Sequence, residues 1–525
     1  MYLRQYLAAV ALLLNSHNKV AFVGAIELDI SSTDSIKEAA RITANGLMSY
    51  YTGYQPGHTE GLLPDPYYWW EAGAMFGQMI DYWSYTSDAR YNTKVTSGIL
   101  AQIGANADFM PSNQTRTEGN DDQQFFAFAA LTAAESNFPF PSSFPSSSSA
   151  DSSESTSSSS SSSSTDTSPI SWLTLAQSVF NQQALRWDPS TCSGGLRWQI
   201  YPFNNGYNYK NMVSNGGFFQ LAARLARYTG NGTYSDWADK VWDWMEASVM
   251  LTEDGVAFDG MDVLEECKTP NRVLFSYNSG TLVAGAAYMY NHTTLPIWRT
   301  RLTTLLSATH TFFPPDYSNT TMDEISLHAC AVSKTCTADQ PSFKAYLARS
   351  LAVTTQLAPF TAAEIMPLLA GSAKAAARSC SGGPSGTECG LMWWKEEGWD
   401  GNVGVGEQMS AMSVIGANLV SLARPPVTMV TGGESKGDPA AGTRPKGAGR
   451  QEAEMKPVTK KDTVGAWVLA AVVMVFVGAM GAFVVWDEGE EKFVGQRDPA
   501  FLGKDRMWPG EYERYLESRW TLDTL

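Results

Sequence analysis

Apolar residues recurring at helical spacing, short connections between the segments that carry them, and few alternating runs together predict an all-α fold. The arrangement expected is an (α/α)6 barrel of paired inner and outer helices. Twelve segments carry the pattern, at 34–53, 67–87, 89–109, 121–137, 170–186, 212–229, 234–250, 276–291, 295–311, 339–357, 361–378 and 404–423. Phe218, Phe219, Leu221, Ala222 and Leu225 fall on one helical face, as do Trp237, Val241, Trp244 and Met245. Gly195–Tyr201 is the clearest β-patterned run, and it is short. An α-solenoid would need self-similarity at roughly 34 or 40 residues, and none is visible.

The segments flanking this body follow in order. Arg4 precedes the apolar run Leu7–Leu14, and Val23-Gly24-Ala25 has the small-residue form of a signal-peptidase site, so residues 1–25 are expected to be a signal peptide. The barrel domain is expected over 26–423. Residues 139–168 form a serine-rich insertion that cannot bury enough apolar surface to fold. Residues 424–462, rich in Pro, Gly and Lys, read as a linker. Residues 464–486 carry no charge and are long enough, at about 1.5 Å per residue, to span a bilayer. Trp467 and Trp486 stand near its ends, where interfacial tryptophans belong. Lys456, Lys460 and Lys461 precede this span and acidic residues follow it, which by charge alone places the upstream side in the cytoplasm. The leader, the cysteines and the sequons outweigh that bias. The body is expected outside the cell, as in a single-pass type I protein at the plasma membrane, with 487–525 as a cytoplasmic tail.

Sequons at Asn113, Asn231, Asn291 and Asn319 are expected glycosylation sites. Six cysteines in a secretory context imply disulfides, for which fifteen connectivities exist. Short spacing favours Cys330–Cys336 and Cys380–Cys389, leaving Cys192–Cys267. No cysteine or histidine cluster has zinc spacing, so no metal or cofactor is expected. The net charge of −16, with no basic run interleaved with aromatics in the body, excludes nucleic acid as a partner. Tryptophan (17), tyrosine (22) and phenylalanine (23) are abundant, which suits the stacking of sugar rings as well as core packing.

Asp121 and Asp122 stand side by side where a helix should begin, with Gly119 and Asn120 read as turn and N-cap. Glycosidic bond cleavage needs two carboxyl groups, one nucleophilic or basic and one acidic. The first helical turn favours one ionised carboxylate, and that charge makes its neighbour keep its proton longer. Adjacent Cα atoms lie about 3.8 Å apart, which fits the roughly 5–5.5 Å carboxyl separation of retaining enzymes better than the wider gap of inverting ones. Further polar or aromatic groups mark other helix starts: Tyr67-Tyr-Trp-Trp-Glu71, Tyr207–Asn211, Tyr277-Asn278, Asp339-Gln340 and Glu407-Gln408. In an α/α barrel these starts converge on one cleft.

At these residues the chain resembles glycoside hydrolase family 76, the endo-acting α-1,6-mannanases, and especially its fungal cell-wall branch. The resemblance lies in Tyr67-Tyr-Trp-Trp-Glu-Ala-Gly73, Gly119-Asn-Asp-Asp-Gln123, Gly194-Gly-Leu-Arg-Trp-Gln199, Asn208-Tyr-Lys-Asn211, Ser214-Asn-Gly-Gly-Phe-Phe219, Tyr277-Asn-Ser-Gly280 and Thr431-Gly-Gly-Glu-Ser435. It implies a retaining mechanism with Asp121 as nucleophile and Asp122 as acid/base. Trp69, Trp70, Arg197, Trp198, Tyr209, Asn215, Tyr277 and Asn278 are the expected mannose-binding residues. The donor implied is an α-1,6-mannan or the mannose core of a glycosylphosphatidylinositol (GPI) anchor, and the possible acceptor is cell-wall glucan. Fungal members are usually GPI-anchored, whereas here a charged tail follows the apolar span, which favours a transmembrane anchor. Two classes of function follow: an enzyme, either hydrolase or transglycosylase, and a mannan-binding wall scaffold without turnover. Both aspartates are present, and binding alone would not require the pair.

Overall fold

A computed structural model describes residues 24–141, 170–316 and 318–443. The signal segment up to residue 23, nearly all of the serine-rich insertion, the apolar span 464–486 and the tail lie outside the described residues. Among the described residues no helix is long and apolar enough to cross a membrane.

Thirteen α-helices stand among the described residues. They are α1 (Thr33–Tyr50), α2 (Trp69–Thr86), α3 (Asn92–Ala101), α4 (Asn120–Ser136), α5 (Trp172–Arg186), α6 (Met212–Thr229), α7 (Gly232–Ala247), α8 (Ser276–Thr293), α9 (Pro296–Thr309), α10 (His328–Ser333), α11 (Phe343–Leu357), α12 (Ala362–Ser379) and α13 (Val405–Ala417). Each of the twelve expected segments overlaps one of them, and α10 is a short addition. Local chemistry explains the boundaries. The hydroxyl of Ser32 accepts from Ser35 N–H at 3.3 Å and that of Ser171 from Thr174 N–H at 3.2 Å, capping α1 and α5. Pro296 opens α9 at a position where no N–H is needed. Asn137 and Gly230 close α4 and α6 in the left-handed conformation, at φ 54° and 70°.

The helices alternate between two environments. In α1 the buried residues form one stripe, Ile36, Ala39, Ala40, Thr43, Ala44, Leu47 and Met48, as expected of a helix with an outer face. In α13 every residue but Gly416 is buried, and such a helix must be enclosed by others. Helices α2, α4, α6, α8, α11 and α13 pack each against the next, and α13 returns to α2. Two close approaches need glycine. A Cβ on Gly73 would lie 2.6 Å from the Phe126 ring, and one on Gly280 would lie 2.9 Å from the Leu347 backbone.

Three sequence expectations change. The segment 89–109 is helical only over Asn92–Ala101. Gly195–Tyr201 is not a strand. The small antiparallel sheet is instead β1 (Tyr209–Asn211), β2 (Gly260–Asp262) and β3 (Pro270–Asn271). Residues 424–443, expected to begin a linker, are held to the body. Val427 N–H donates to Glu135 O at 2.8 Å, Met429 N–H to Tyr228 O at 2.9 Å, Leu173 N–H to Ser435 Oγ at 2.9 Å, and Asn181 Nδ2 to Ala441 O at 2.8 Å. Backbone groups satisfied in this way give a Pro/Gly-rich segment a fixed course without regular structure. All three expected disulfides are present: Cys192–Cys267, Cys330–Cys336 and Cys380–Cys389.

Candidate active site

Helix α4 begins one residue earlier than expected. Gly119 is its N-cap and Asn120 its first residue, so Asp121 and Asp122 occupy the second and third positions of the opening turn. Asp122 reaches back to accept from Gly119 N–H at 2.7 Å, the carboxylate half of a capping box. Asp121 accepts from Asp122 N–H at 3.1 Å through one oxygen and from Asn211 Nδ2 at 3.2 Å through the other.

Asn120 fixes this turn in space. Its N–H donates to Trp198 O at 2.8 Å, and its side-chain amide donates to Arg197 O at 2.8 Å. Gln183 Nε2 donates to its carbonyl at 2.8 Å, and Arg186 Nη1 donates to its Oδ1 at 3.0 Å. The end of α5 and the loop before β1 therefore clamp the residue beside the aspartates from two sides.

Burial dominates the electrostatics. It pushes Asp121 well above the ordinary carboxylate range, and the charge of Asp122 pushes it further, while Asn211 draws it back. Asp122 is raised to about 6, again chiefly by burial, against the Gly119 hydrogen bond and with the charge of Asp339 adding to the rise. The helix terminus by itself favours ionised carboxylates, but desolvation outweighs it here. Between them the pair retains a proton above the ordinary range, as acid catalysis requires. The surroundings are rich in acids. Burial lifts Glu71 to about 8, Glu407 to about 7 and Glu118 to about 9, and it raises Asp339 as well. Both oxygens of Glu118 lack hydrogen-bond partners among the described residues.

The expected binding residues divide by environment. Trp198, 37% exposed, follows directly on the clamp. Tyr277 packs at a tilt against Phe343, at 4.2 Å between centroids, and its hydroxyl feels the charges of Asp259, Asp121 and Asp339. Tyr209 donates to Asp259 Oδ2 at 2.7 Å, and both polar atoms of the Asn278 amide are buried without a hydrogen-bond partner among the described residues. Trp70 packs on Phe125 at 4.3 Å and on Tyr346 at 6.0 Å. The other three brace the scaffold. Trp69 stacks on Phe126 and donates to Gln102 Oε1 at 2.8 Å. Arg197 pairs with Asp188 at 2.9 Å. Asn215 is wholly buried, and both ends of its amide are bonded to the backbone of Leu196. Asn211, Asp259, Glu118 and Arg186 were not among the expected site residues. Asn211 lay within a motif but offered no sign of its partner, and Asp259 sits in a connection with no motif at all.

A cavity of about 110 Å³ lies among later turns of the inner helices. Its two acids are already paired, Asp81 with Arg349 at 2.6 Å and Glu135 with Arg224 at 2.7 Å, so it has no free acid for this chemistry. Among the described residues no cluster of His, Cys, Asp and Glu could hold a metal ion.

The profile of glycosyl hydrolase family 76 matches residues 35–147 and 156–429. Mannan endo-1,6-alpha-mannosidase DCW1 of Saccharomyces cerevisiae is 44% identical over 471 residues, covering 89% of this chain and 96% of the relative. The DCW1 enzyme of Candida albicans is 42% identical over 458 residues, covering 86% and 94%. The crystal structure of Dfg5 from Chaetomium thermophilum in complex with glucosamine superposes with a TM-score of 0.71 at 41% identity, covering 80% of this chain and 98% of that one. An inactive variant of the α-1,6-mannanase GH76A of Salegentibacter sp. HEL1_6, bound to α-1,6-mannotetrose, shares the fold at 16% identity with a TM-score of 0.55, covering 73% and 99%. Profile, relatives and fold agree, and the chain belongs to glycosyl hydrolase family 76.

Proposed function

We propose that this protein is a retaining, endo-acting α-1,6-mannosidase of the fungal cell surface, which also transfers the cut glycan to an acceptor. The observation that carries the reading is the buried pair Asp121 and Asp122 at the start of α4, whose carboxyls together hold a proton above the ordinary range. In the first step the pair's one proton sits on Asp122 and passes to the departing oxygen. Asp121, its ionised form favoured by the Asn211 hydrogen bond, attacks the anomeric carbon at the same time. In the second, Asp122 takes a proton from water or a sugar hydroxyl, which displaces Asp121 from the sugar. The closed packing order of six enclosed helices supports the (α/α)6 barrel, in which their first turns meet at one cleft. The activity printed for the DCW1 relatives supports an α-1,6-mannoside as donor. The glucosamine held by the Chaetomium relative supports a donor that includes an amino sugar.

Transfer rather than hydrolysis follows if an acceptor hydroxyl reaches the intermediate before water does. The reading extends to a type I membrane protein anchored by 464–486, since tethering beside the wall raises the local concentration of glycan acceptors. The test supplies the protein with a GPI-core mannoside and a labelled β-glucan oligosaccharide, and analyses products by mass spectrometry. A joined product supports transfer. Free reducing sugar alone, over a wide range of acceptor concentration, leaves hydrolysis. Binding of α-1,6-mannan without any product makes the protein a scaffold.

A further inference from the structure

The loop between α5 and β1 presents aromatic surface that the chemistry at Asp121 and Asp122 does not use. Phe203 is 62% exposed, and its ring stacks nearly parallel to Tyr201, at 5.3 Å between centroids and 13° between planes. The guanidinium of Arg116 lies 5.5 Å from the Phe203 centroid. Tyr201 is half-buried, and a Phe203 ring left open to water beside it has a cost in exposed apolar area that internal packing does not account for.

The platform continues the catalytic cleft. Trp198, five residues before Phe203, accepts Asn120 N–H at 2.8 Å, and Gln199 pairs with Gly119 in an antiparallel bridge. The loop is also fixed in place. The Cys192–Cys267 disulfide and the Asp188–Arg197 ion pair at 2.9 Å hold its beginning, and Trp198 N–H donates to Tyr209 O at 2.7 Å. Asn204 Nδ2 donates to Arg116 O at 3.0 Å and so ties the tip to the loop that leads into α4. Preorganisation of this kind lowers the entropy cost of binding. Residues 196–209 contain no Asp or Glu, and the single cation, Arg197, is paired. An acidic cleft thus gives way to an aromatic rim without acids, which suits an uncharged sugar.

We infer that Tyr201 and Phe203 form an outlying glycan subsite that stacks a further mannosyl unit of the α-1,6-linked chain, beyond the units held over the aspartate pair. An endo-acting enzyme must hold sugar on both sides of the bond it cuts, and the rim extends that hold along the chain. The inference rests on the α-1,6-mannosidase reading.

The test is calorimetric, in the full-length protein carrying Asp121→Asn and Asp122→Asn so that ligands survive. Probes are α-1,6-mannobiose, mannotetraose and mannohexaose, with a β-1,3-glucan hexaose as the second arm. Affinity is expected to rise with mannoside length. Adding Phe203→Ala should weaken the hexaose about tenfold, leave the biose unchanged and leave the melting temperature within a degree or so, and Phe203→Trp should restore the hexaose. Equal affinity for mannohexaose with and without Phe203 overturns the subsite, as does an equal loss for every length. A loss confined to the β-glucan arm overturns the assignment to mannan. If the unsubstituted loop binds no α-1,6-mannoside of any length, the substrate reading itself falls.

Discussion

Asn211 donates its side-chain amide to Asp121 at 3.2 Å across ninety residues of sequence. Asn211 is the N-cap of α6, yet its side chain makes no capping bond there. It is spent on the carboxylate instead, while Asn215 Nδ2 donates to the backbone carbonyl of Asn211 at 2.9 Å. The start of one inner helix thereby tunes the acid at the start of another, and this bond opposes the rise that burial imposes on Asp121.

Asn211→Ala should therefore raise Asp121 further and leave less of it ionised. Since a hydrogen bond to a charged group contributes roughly 1.5–3 kcal/mol, kcat on an α-1,6-mannan oligosaccharide should fall about 10- to 100-fold with a small change in KM. Unchanged kcat would detach Asn211 from the mechanism.

Asp339 raises Asp122 by its charge. The active form carries one proton on the pair, so the acidic limb of the pH–rate profile follows the pair's first ionisation, at about 6. Removing the charge with Asp339→Asn should move that limb to lower pH. A limb that stays in place, in a variant that still turns over, would show that Asp339 does not act on the pair.

The same burial predicts a conflict between stability and activity. Asp122 rises from an ordinary 3.8 to about 6, so between these values the folded protein binds more protons than the unfolded chain. Stability contributed by the pair is full below about pH 4 and is lost as pH rises through the folded values. Replacing both aspartates by asparagine should leave the melting temperature unchanged near pH 4 and raise it progressively above. At one pKa unit per roughly 1.4 kcal/mol, the rise of Asp122 alone makes the gain about 3 kcal/mol at pH 7. Melting curves of the two proteins across pH 4–8 test this, and a difference independent of pH would contradict it.

Gly280→Ala places a methyl 2.9 Å from the Leu347 backbone where α8 meets α11. Backbone cannot rotate aside, so overpacking should cost about 1–3 kcal/mol, against a helix-propensity gain of at most about 1. A lowered denaturant midpoint is expected, and an unchanged one would mean that the helices separate freely.

The sequons differ in surroundings. Asn113, Asn291 and Asn319 are all exposed, and they differ in their hydrogen bonds. Asn291 accepts from Arg227 Nε at 2.7 Å and donates to Leu357 O at 2.8 Å, so a glycan on its amide disturbs an existing bridge between α6, α8 and the end of α11. Glycopeptide mapping of the secreted protein should find Asn113 and Asn319 occupied and Asn291 largely bare. Full occupancy at Asn291 would refute the argument.

Helical periodicity, turn chemistry and cysteine spacing are local, and they determined the helix positions, all three disulfides and the placing of Asp121 and Asp122 in an opening turn. Other features depended on which distant segments meet. Only the tertiary structure brought Asn211 to Asp121, set Asp339 beside Asp122 and gave Asn120 its clamp from α5 and the Trp198 loop. It alone turned Trp69, Arg197 and Asn215 into braces, because a side chain's role depends on which groups its neighbours leave unsatisfied. Residues 424–443 read as a linker by composition, but carbonyls and amides on α4, α5 and α6 accept and donate along their length, which composition does not encode. The acid range of the aspartate pair was settled in the same way. A helix start alone favours their ionised forms, whereas burial within a ring of helices, a property of the whole fold, makes them hold a proton.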